Sequence, residues 1–260
     1  MPRFTVVAKD DQISVKIRDV IVQKLVASNF VFDPKTPEII LVVGGDGTFL
    51  SAVHYYLNIC DHAIFTGIHT GTLGFFADYT LPMLAQGLQD IVTKKPQIEI
   101  KDLLKITVKG AQEQQFYAVN EARVENIVRT QLIDVFIDGV QLETFRGTGL
   151  CVATQTGSTA YNRSLRGAVI EPGLRVMELS EVTGIHHSRY RSLGVSLVVN
   201  GSRVIRLSSP NQFSASMLCY DRESMELSGA TEIECTLSDK RVYLAHYQPQ
   251  SFTKRLSHLF

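Results

Sequence analysis

The stretch LVVGGDGTFL, residues 41–50, decides the fold of the first part of the chain. Its first residues belong to the apolar run EIILVV (38–43), which ends at Gly44 and Gly45. A single carboxylate, Asp46, follows the glycines, and the chain continues into FLSAVHYYL (49–57). A short run rich in Ile and Val is typical of a parallel strand buried on both faces. Glycines let the backbone amides at the start of the next helix approach an anion. The stretch therefore predicts a strand–turn–helix corner that binds phosphate.

The segments around this corner alternate between strand and helix patterns. The runs FTVVA (4–8) and AIFTGI (63–68) predict strands, while apolar residues at helical spacing predict helices over 10–30 and 81–92. Strands and helices alternating at this spacing are typical of a doubly wound parallel sheet. We therefore predict a Rossmann-like α/β domain over residues 1–97.

The pattern changes near residue 98, where period-two alternation becomes dominant. We predict an antiparallel, β-sandwich-like domain over 98–247, and a C-terminal tail, 248–260, that returns to the first domain. Within the β-rich domain we expect one helical interruption near 157–167. Strands are predicted over 103–110 and 114–125, and hairpins at Asp138-Gly139, at Asn200-Gly201 and within 232–247.

Composition limits the class of protein. The chain has 260 residues with 26 basic and 26 acidic side chains, so its net charge favours neither nucleic acid nor a membrane surface. The N-terminal stretch lacks the apolar core of a signal peptide, and we find no apolar run long enough to span a bilayer. Cys60, Cys151, Cys219 and Cys235 are scattered among apolar neighbours, which predicts buried, reduced thiols. We expect a cytoplasmic protein.

Asp46 is the unusual residue of the phosphate-binding turn. A carboxylate there repels phosphate unless it has another task, such as accepting a proton or holding a metal. The alternative is a structural role in which Asp46 caps the following helix through its backbone amides. The turn is neither a P-loop, since no Gly-Lys-Ser/Thr follows, nor a dinucleotide-binding GxGxxG motif.

Two further segments carry polar groups suited to a nucleotide. Asn120 and Glu121 stand together at the end of a strand pattern, where they suit a ribose or an adenine edge, although a solvated turn is the favoured explanation of this segment in isolation. The stretch ATQTGSTAYNRSLRG (153–167) combines hydroxyl groups, a helix start and Tyr161, whose ring offers a stacking surface. Its alternative is an ordinary capped helix with Tyr161 in the core.

Taken together, these motifs resemble the bacterial NAD kinases over essentially the whole chain. The resemblance is carried by GGDGT (44–48), GIHTGTLGFFADY (67–79), Asn120-Glu121 and TGSTAYNRSLRG (156–167), in that order. GGDGT alone also resembles diacylglycerol, sphingosine and phosphofructokinase families, and the later motifs narrow the choice. The resemblance implies phosphorylation of the 2′-hydroxyl of the adenosine ribose of NAD, giving NADP.

The resemblance also assigns roles to single residues. Asp46 is similar to the family's catalytic aspartate, which accepts the proton of the ribose hydroxyl. Tyr190 is a weaker match to a site position, and His186 and His187 are expected to be loop residues rather than ligands. Substrate binding is implied for Gly45, Gly47, Thr48, Asn120, Glu121, Arg146, Ser158, Thr159, Ala160, Tyr161, Asn162, Ser164 and Asp221.

The chain departs from the family pattern at Thr148. Where the family commonly has Arg-Gly-Asp-Gly, this sequence has Arg146-Gly147-Thr148-Gly149. The missing carboxylate is expected to contact a base or the nicotinamide amide across a subunit contact. Thr148 still accepts a hydrogen bond from an amide, but a neutral acceptor is weaker than a charged one. We therefore expect a cost to substrate affinity of about 1–2 kcal/mol if no other residue compensates.

The implied partners are NAD together with ATP or inorganic polyphosphate, with Mg²⁺ or another divalent cation arriving on ATP. No permanent metal site is expected. The resemblance implies a homo-oligomer, a tetramer or a dimer. Two alternatives stay open at this point: a lipid or sugar kinase that shares the GGDGT turn, and a non-catalytic NAD(P)-binding sensor, for which Thr148 is the positive hint.

Overall fold

The computed structural model describes residues 1–71, 74–185 and 192–259, and its contacts divide the chain into two units. The first unit comprises residues 1–101 and 240–260, and the second comprises 102–239. The sequence placed these boundaries at 97/98 and 247/248. The observed boundaries differ because each lies inside a long strand, where no change of composition marks it.

The first unit is built on a parallel sheet. β1 lies between β2 and β3, and β4 pairs with both β3 and β5; all four of these pairings are parallel. β3 is buried at every residue, as predicted for a strand covered on both faces. The strands are β1 (Arg3–Ala8), β2 (Val31–Phe32), β3 (Ile39–Gly44), β4 (Ile64–His69) and β5 (Tyr79–Thr80).

Two helices connect these strands, and a third follows β5. Asp11 caps the first of them by accepting hydrogen bonds from the backbone amides of Ile13 and Ser14. The apolar core of this unit combines residues of β1, β3 and β4 with Ile21 and Leu25 of that helix. The helices are α1 (Gln12–Ala27), α2 (Asp46–Tyr55) and α3 (Leu84–Thr93), the last preceded by a 3₁₀ turn at Leu81–Met83.

The second unit consists mainly of antiparallel strands around a large apolar core, with a smaller apolar cluster at Cys151, Ala153 and Val182. This arrangement, an α/β unit and a β-rich unit, confirms the predicted fold class. The helical interruption predicted near 157–167 appears as a 3₁₀ turn, Thr156–Thr159, followed by α4 (Tyr161–Ser164). The strands are β6 (Gln97–Lys109), β7 (Gln114–Ala118), β8 (Glu121–Glu125), β9 (Gln131–Ile137), β10 (Val140–Thr154), β11 (Val176–Gly184), β12 (Leu197–Asn200), β13 (Ile205–Ser208), β14 (Met217–Tyr220) and β15 (Glu223–Glu226).

One predicted hairpin is confirmed. β9 and β10 pair antiparallel directly across Asp138-Gly139, and both turn residues have positive φ, 51° and 81°. Two residues with positive φ are what a tight two-residue hairpin turn requires.

Three other strand predictions are wrong. The strand predicted over 114–125 is broken into β7 and β8 at Val119 and Asn120. Asn200-Gly201 does not join a hairpin: β12 pairs with β11, whereas β13 pairs with β9 and with the last strand. The segment 232–247 is one long strand, β16 (Glu232–His246), because it pairs with β13 over 232–235, with β6, and with β4 at 243–244 instead of folding back on itself.

The C-terminal residues belong to the first unit, as the fold prediction expected. The end of β16 pairs parallel to β4, at Tyr243 with Ile64 and at Leu244 with Phe65. The chain then ends in α5 (Phe252–Leu259). Both elements add to the part of the chain that contains the GGDGT turn.

The cysteines follow the prediction with one exception. Cys60, Cys151 and Cys235 are buried free thiols, whereas Cys219, on β14, is only half-buried. Among the described residues, we find no helix with the length and apolarity that crossing a bilayer requires.

Candidate active site

Asp46 stands at the corner between β3 and α2. It is the first residue of α2, Gly45 occupies the N-cap, and no side chain caps the helix. The carboxylate instead turns to another loop, where Oδ2 accepts the amide of Phe75 at 3.1 Å and Oδ1 accepts that of Phe76 at 3.4 Å. The capping alternative is therefore wrong for this side chain.

The rest of the GGDGT turn is tightly packed. A methyl group on Gly44 would lie 2.7 Å from Cβ of Thr48, so a side chain does not fit there without displacing the threonine. Gly45, Gly47 and Thr48 are half-buried. The turn thus leaves partly accessible backbone beside Asp46 at the N-terminus of a ten-residue helix, where the backbone dipole favours an anion.

Gly74 explains how the neighbouring loop comes so close to Asp46. A methyl group at this position would lie 2.6 Å from Cγ of Asp46. Real carbon atoms do not approach so closely, so the loop carries glycine where it passes the carboxylate. The sequence contained this signal in the motif GIHTGTLGFFADY, but the motif alone does not show which glycine contacts Asp46.

The second unit places Asn120 at the break between β7 and β8. Asp221, in the turn between β14 and β15, accepts the backbone amides of Val119 and Asn120, each at 2.7 Å. The amide of Asp221 in turn donates to the carbonyl of Glu121 at 3.1 Å. The side chain of Asp221 therefore holds the corner that presents Asn120 and Glu121.

Glu121 is buried, with 5% of its surface exposed, and its Oε2 atom has no hydrogen-bond partner among the described residues. Burial, assisted by the nearby charge of Asp221, raises the pKa of Glu121 to about 7. Buried acceptors are nearly always satisfied in folded proteins. An unpaired oxygen here is the kind of group that a ligand hydroxyl or amide satisfies.

The stretch of residues 153–167, called the TGSTAYN block below, contacts this corner. The amide of Thr154 donates to the carbonyl of Asn120 at 2.8 Å, and the hydroxyl of Thr154 donates to the carbonyl of Val119 at 2.6 Å. A methyl group on Gly157 would lie 2.9 Å from Cα of Asn120. The structure therefore brings the block and the Asn120-Glu121 pair into direct contact.

Members of the block differ in exposure. Ser158 and Asn162 are fully buried, and their side chains bond within the protein: Ser158 Oγ accepts the amide of Ile170, and Asn162 contacts Glu178 and Ser180. These two residues support the block from inside. Thr159, Ala160 and Tyr161 are half-buried, and Ser164 is exposed.

The ring of Tyr161 already has a cation on one face. The guanidinium carbon of Arg123 lies 3.9 Å from the ring centroid, and the tyrosine hydroxyl donates to Glu125 at 3.2 Å. Arg123 also pairs with Glu125 at 2.9 Å. These contacts fix the orientation of the ring.

Comparison with known proteins identifies the family. The chain is 34% identical over 262 residues to NAD kinase 1 of Bacillus anthracis, covering 99% of this chain and 98% of that protein. The chain belongs to the NAD kinase family. It is also 33% identical over 261 residues to the NAD kinase of Geobacillus stearothermophilus, covering 99% of this chain and 96% of the relative. The model of the ATP-NAD kinase C-terminal domain matches residues 119–247.

Solved NAD kinase and NADH kinase structures share the fold. Yeast NADH kinase complexed with NADH aligns with a TM-score of 0.84 at 19% identity, covering 100% of this chain and 87% of that chain. An NAD kinase from Archaeoglobus fulgidus in complex with ATP aligns with a TM-score of 0.78 at 23% identity, covering 99% and 98%. The likeness extends over both units of this NAD kinase family member.

The remaining residues that the resemblance assigned lie on β10 or outside the described residues. Arg146 and Thr148 are half-buried on β10, and the carbonyl of Thr148 accepts hydrogen bonds from the amide of Asn126 and the side chain of Gln131. Tyr190, together with the predicted loop residues at 186 and 187, lies outside the described residues.

Sequence reasoning missed a buried ionic cluster in the first unit. Asp78 pairs with His246 at 2.7 Å and with Arg255 at 2.7 Å, and His246 contacts Glu99 at 2.9 Å. Burial opposes the charge on Asp78, but its bonds to His246 and the charge of Arg255 outweigh burial and hold its pKa below the usual value. No local motif marks these residues, because they come from three separate segments of the chain.

Cavity size does not locate the site in the first unit. An open cavity of about 890 Å³ runs along β1, α1 and α2, and it is lined by none of the residues that the sequence assigned to the site. The cavity beside Gly45 and Asp46 is only about 10 Å³. The functional groups of the GGDGT turn, rather than the volume of the cavity beside it, therefore identify it as part of the candidate site.

Proposed function

We propose that this member of the NAD kinase family transfers a phosphoryl group from ATP to the 2′-hydroxyl of the adenosine ribose of NAD, with Asp46 accepting the hydroxyl proton. The observation that carries the proposal is the orientation of Asp46. Its carboxylate does not cap α2, whose N-cap residue is Gly45. Instead, it accepts hydrogen bonds from the amides of Phe75 and Phe76. A carboxylate offers about four acceptor sites, so two amides do not exhaust it.

Phosphoryl transfer asks a protein mainly for positioning and for neutralisation of charge. The partly accessible turn of Gly45, Gly47 and Thr48, at the positive end of α2, suits the phosphates of the donor, although the amide of Thr48 already donates to the carbonyl of Gly45 at 2.9 Å. An aspartate fixed next to that turn suits a hydroxyl group that must lose its proton as the new bond forms. Proton acceptance by such a residue contributes about 10²–10⁴-fold to the rate.

The adenosine part of NAD is assigned to the second unit. Asn120 offers a donor and an acceptor, and the unpaired Oε2 of Glu121 offers an acceptor to a ribose hydroxyl or an adenine amino group. Thr159, Ala160, Tyr161 and Ser164 contribute the partly accessible side of the block. We assign Ser158, Asn162 and Asp221 to support of this surface, since their side chains bond within the protein.

Arg146 and Thr148 are proposed to lie beside the rest of the dinucleotide. Arg146 supplies a positive charge that suits a phosphate or carbonyl oxygen. Thr148 stands where the family commonly has an aspartate, and its side chain is a weaker acceptor. Proposed partners beyond NAD and ATP are inorganic polyphosphate as a second donor and Mg²⁺, or another divalent cation, arriving with ATP.

The described residues contain no group of three or more His, Cys, Asp or Glu side chains arranged to hold a metal ion. We propose that the divalent cation arrives bound to the phosphates of the donor. We also propose a cytoplasmic location, which the free cysteines support. The family resemblance supports a homo-oligomer, a tetramer or a dimer.

The deciding experiment is a coupled assay with purified protein, NAD, Mg-ATP and an NADP-specific dehydrogenase that reports NADP. We expect turnover by the wild type, turnover reduced about 10²–10⁴-fold in Asp46→Asn, and NAD binding preserved in that variant by calorimetry. Asp10→Asn, an exposed aspartate of the same unit, is the matched control and should retain full activity.

Two outcomes would change the proposal. Turnover in Asp46→Asn within about tenfold of the wild type would remove the proton-acceptor role. Binding of NAD without NADP formation from either ATP or polyphosphate would favour the sensor alternative, and Thr148 would then be the first residue to restore to aspartate.

A further inference from the structure

Arg255 on α5 contacts the far side of the loop that holds Asp46. Its Nη1 atom, which carries two protons, donates to the carbonyls of Gly74, Phe75 and Ala77 at 3.4, 3.1 and 2.8 Å, so two of these carbonyls share one proton. Its Nη2 atom pairs with Asp78 at 2.7 Å. Only 7% of the Arg255 surface is exposed, so these contacts take place away from bulk water.

The same two peptide groups of the loop contact both Asp46 and Arg255. The carbonyl of Gly74 and the amide of Phe75 belong to one peptide unit, and the carbonyl of Phe75 and the amide of Phe76 belong to the next. The described chain has no cis peptide, and a trans peptide directs its C=O and N–H to opposite sides. The two peptides that donate to Asp46 therefore both accept from Arg255.

We propose that Arg255 is a positioning residue for the reaction, acting on Asp46 through the two peptide groups of residues 74–76. This inference rests on the proposed function, since it takes Asp46 as the proton acceptor. A cation at a carbonyl oxygen polarises the peptide and strengthens its N–H as a donor. The planar fork of arginine reaches several carbonyls and one carboxylate together, which the single ammonium of lysine cannot do.

The surrounding cluster keeps Arg255 in place. Asp78 also accepts the amides of Tyr247 and Gln248, at 2.8 and 3.1 Å, and is 2% exposed. His246 lies 3.2 Å from Arg255 and bridges to Glu99. The C-terminal part of the chain is thereby tied to the loop that orients the carboxylate, and this gives the tail a role in the geometry of the site.

The test compares Arg255→Ala, Arg255→Lys and the neighbouring Lys254→Ala in the full-length chain. Lys254 is an exposed cation on the same helix and serves as the matched control. We expect kcat to fall roughly 10- to 100-fold in both Arg255 variants, with KM for NAD and ATP little changed. Guanidinium ion at low, non-denaturing concentration should restore part of the activity of Arg255→Ala, which a general loss of stability would not allow.

A double variant tests the route of the effect. If Arg255 acts through Asp46, Arg255→Ala should not lower the residual activity of Asp46→Asn any further. Unchanged kcat in a folded Arg255 variant, or an effect confined to KM, would overturn the inference. Should Arg255→Ala fail to fold, Arg255→Lys decides, because it keeps the buried positive charge beside Asp78 but loses the fork.

Failure of the proposed function is distinguishable from failure of this inference. An inactive wild type contradicts the kinase proposal, whereas an active wild type with active Arg255 variants contradicts only the positioning role. A crystal structure of Arg255→Lys provides a readout without turnover. We expect the Asp46 carboxylate to leave the amides of Phe75 and Phe76, and an unmoved carboxylate would overturn the inference.

Discussion

Asp46 and Gly74 occupy adjoining space so closely that a methyl group on the glycine would lie 2.6 Å from Cγ of the aspartate. The contact joins the first residue of α2 to a loop that follows β4. It allows the amide of Phe75 to reach the carboxylate at 3.1 Å. The orientation of the proposed proton acceptor therefore depends on a residue with no side chain.

Gly74→Ala should displace Asp46 and lower kcat. The added methyl group has no room, so either the carboxylate turns away or the loop moves and loses its hydrogen bonds. A displacement of about 1 Å at a reacting group costs on the order of 100-fold in rate. The measurement is steady-state kinetics with NAD and Mg-ATP, combined with thermal unfolding to verify the fold.

Gly71→Ala is the control for this prediction. A methyl group at Gly71 would meet the ring of His69 at 3.6 Å, an ordinary van der Waals distance. We expect activity within roughly twofold of the wild type, since such a contact displaces nothing. Equal losses in the two variants would contradict a specific role for Gly74.

Asp221→Asn should weaken the corner that presents Asn120. Asparagine keeps the size of the side chain and tolerates the positive φ of 48° at this position. Its amide nitrogen cannot accept, so one of the two backbone amides loses its partner. We expect a loss of about 1–3 kcal/mol in the free energy of unfolding and a raised KM for NAD. Glu223→Gln, which changes an exposed carboxylate at the start of β15, should change neither quantity.

The KM for NAD should depend on the charge of Glu121. Burial, with Asp221 as the second cause, raises the pKa of Glu121 to about 7. As the pH rises through this value the carboxyl group ionises and becomes a stronger acceptor for a ribose hydroxyl, so KM should fall. Glu121→Gln should abolish this pH dependence, whereas Glu171→Gln, an exposed control, should keep it. The same inflection in Glu121→Gln would assign it to another group.

The stability of the protein should decrease as the pH rises through the pKa of His246. Burial opposes the imidazolium, but hydrogen bonds to Asp78 and Glu99 outweigh burial and raise its pKa above 6.5. Arg255, which also faces His246, opposes the charge. A raised pKa means that folding favours the protonated form, so its stabilisation is complete below about pH 6.5 and is lost above the raised value.

Urea unfolding across this range measures the effect. His246→Gln should show a smaller decrease in the free energy of unfolding with rising pH than the wild type. His62→Gln, which changes an exposed histidine, should behave like the wild type. A steeper pH dependence in His246→Gln would contradict the assignment.

Short sequence patterns correctly predicted the strands and turns whose conformation is decided by residues adjacent in the chain. The apolar run before Gly44 predicted a buried strand, and β3 is buried throughout. Asp138-Gly139 predicted a hairpin, and both residues adopt the positive φ that a tight turn needs. Such features are decided within a few residues, where side-chain sterics and backbone preference act directly.

Strand pairing was predicted less well, for a physical reason. Asn200-Gly201 predicts only that the chain can turn. Which strands then pair is decided by burial of apolar faces across distant strands: β12 pairs with β11, and β13 pairs with β9 and β16. The break at Val119 and Asn120 was likewise missed, because the carboxylate that holds it belongs to Asp221.

The sequence by itself determined the strand–turn–helix corner with a carboxylate, Asp46, inside it, and the family to which its motifs belong. Only the tertiary structure decided what holds them: Gly74 against Asp46, Arg255 behind the peptides of the loop, and Asp221 beneath Asn120. A motif carries its own functional groups, whereas the groups that orient it come from segments far along the chain. Folding alone brings those segments together.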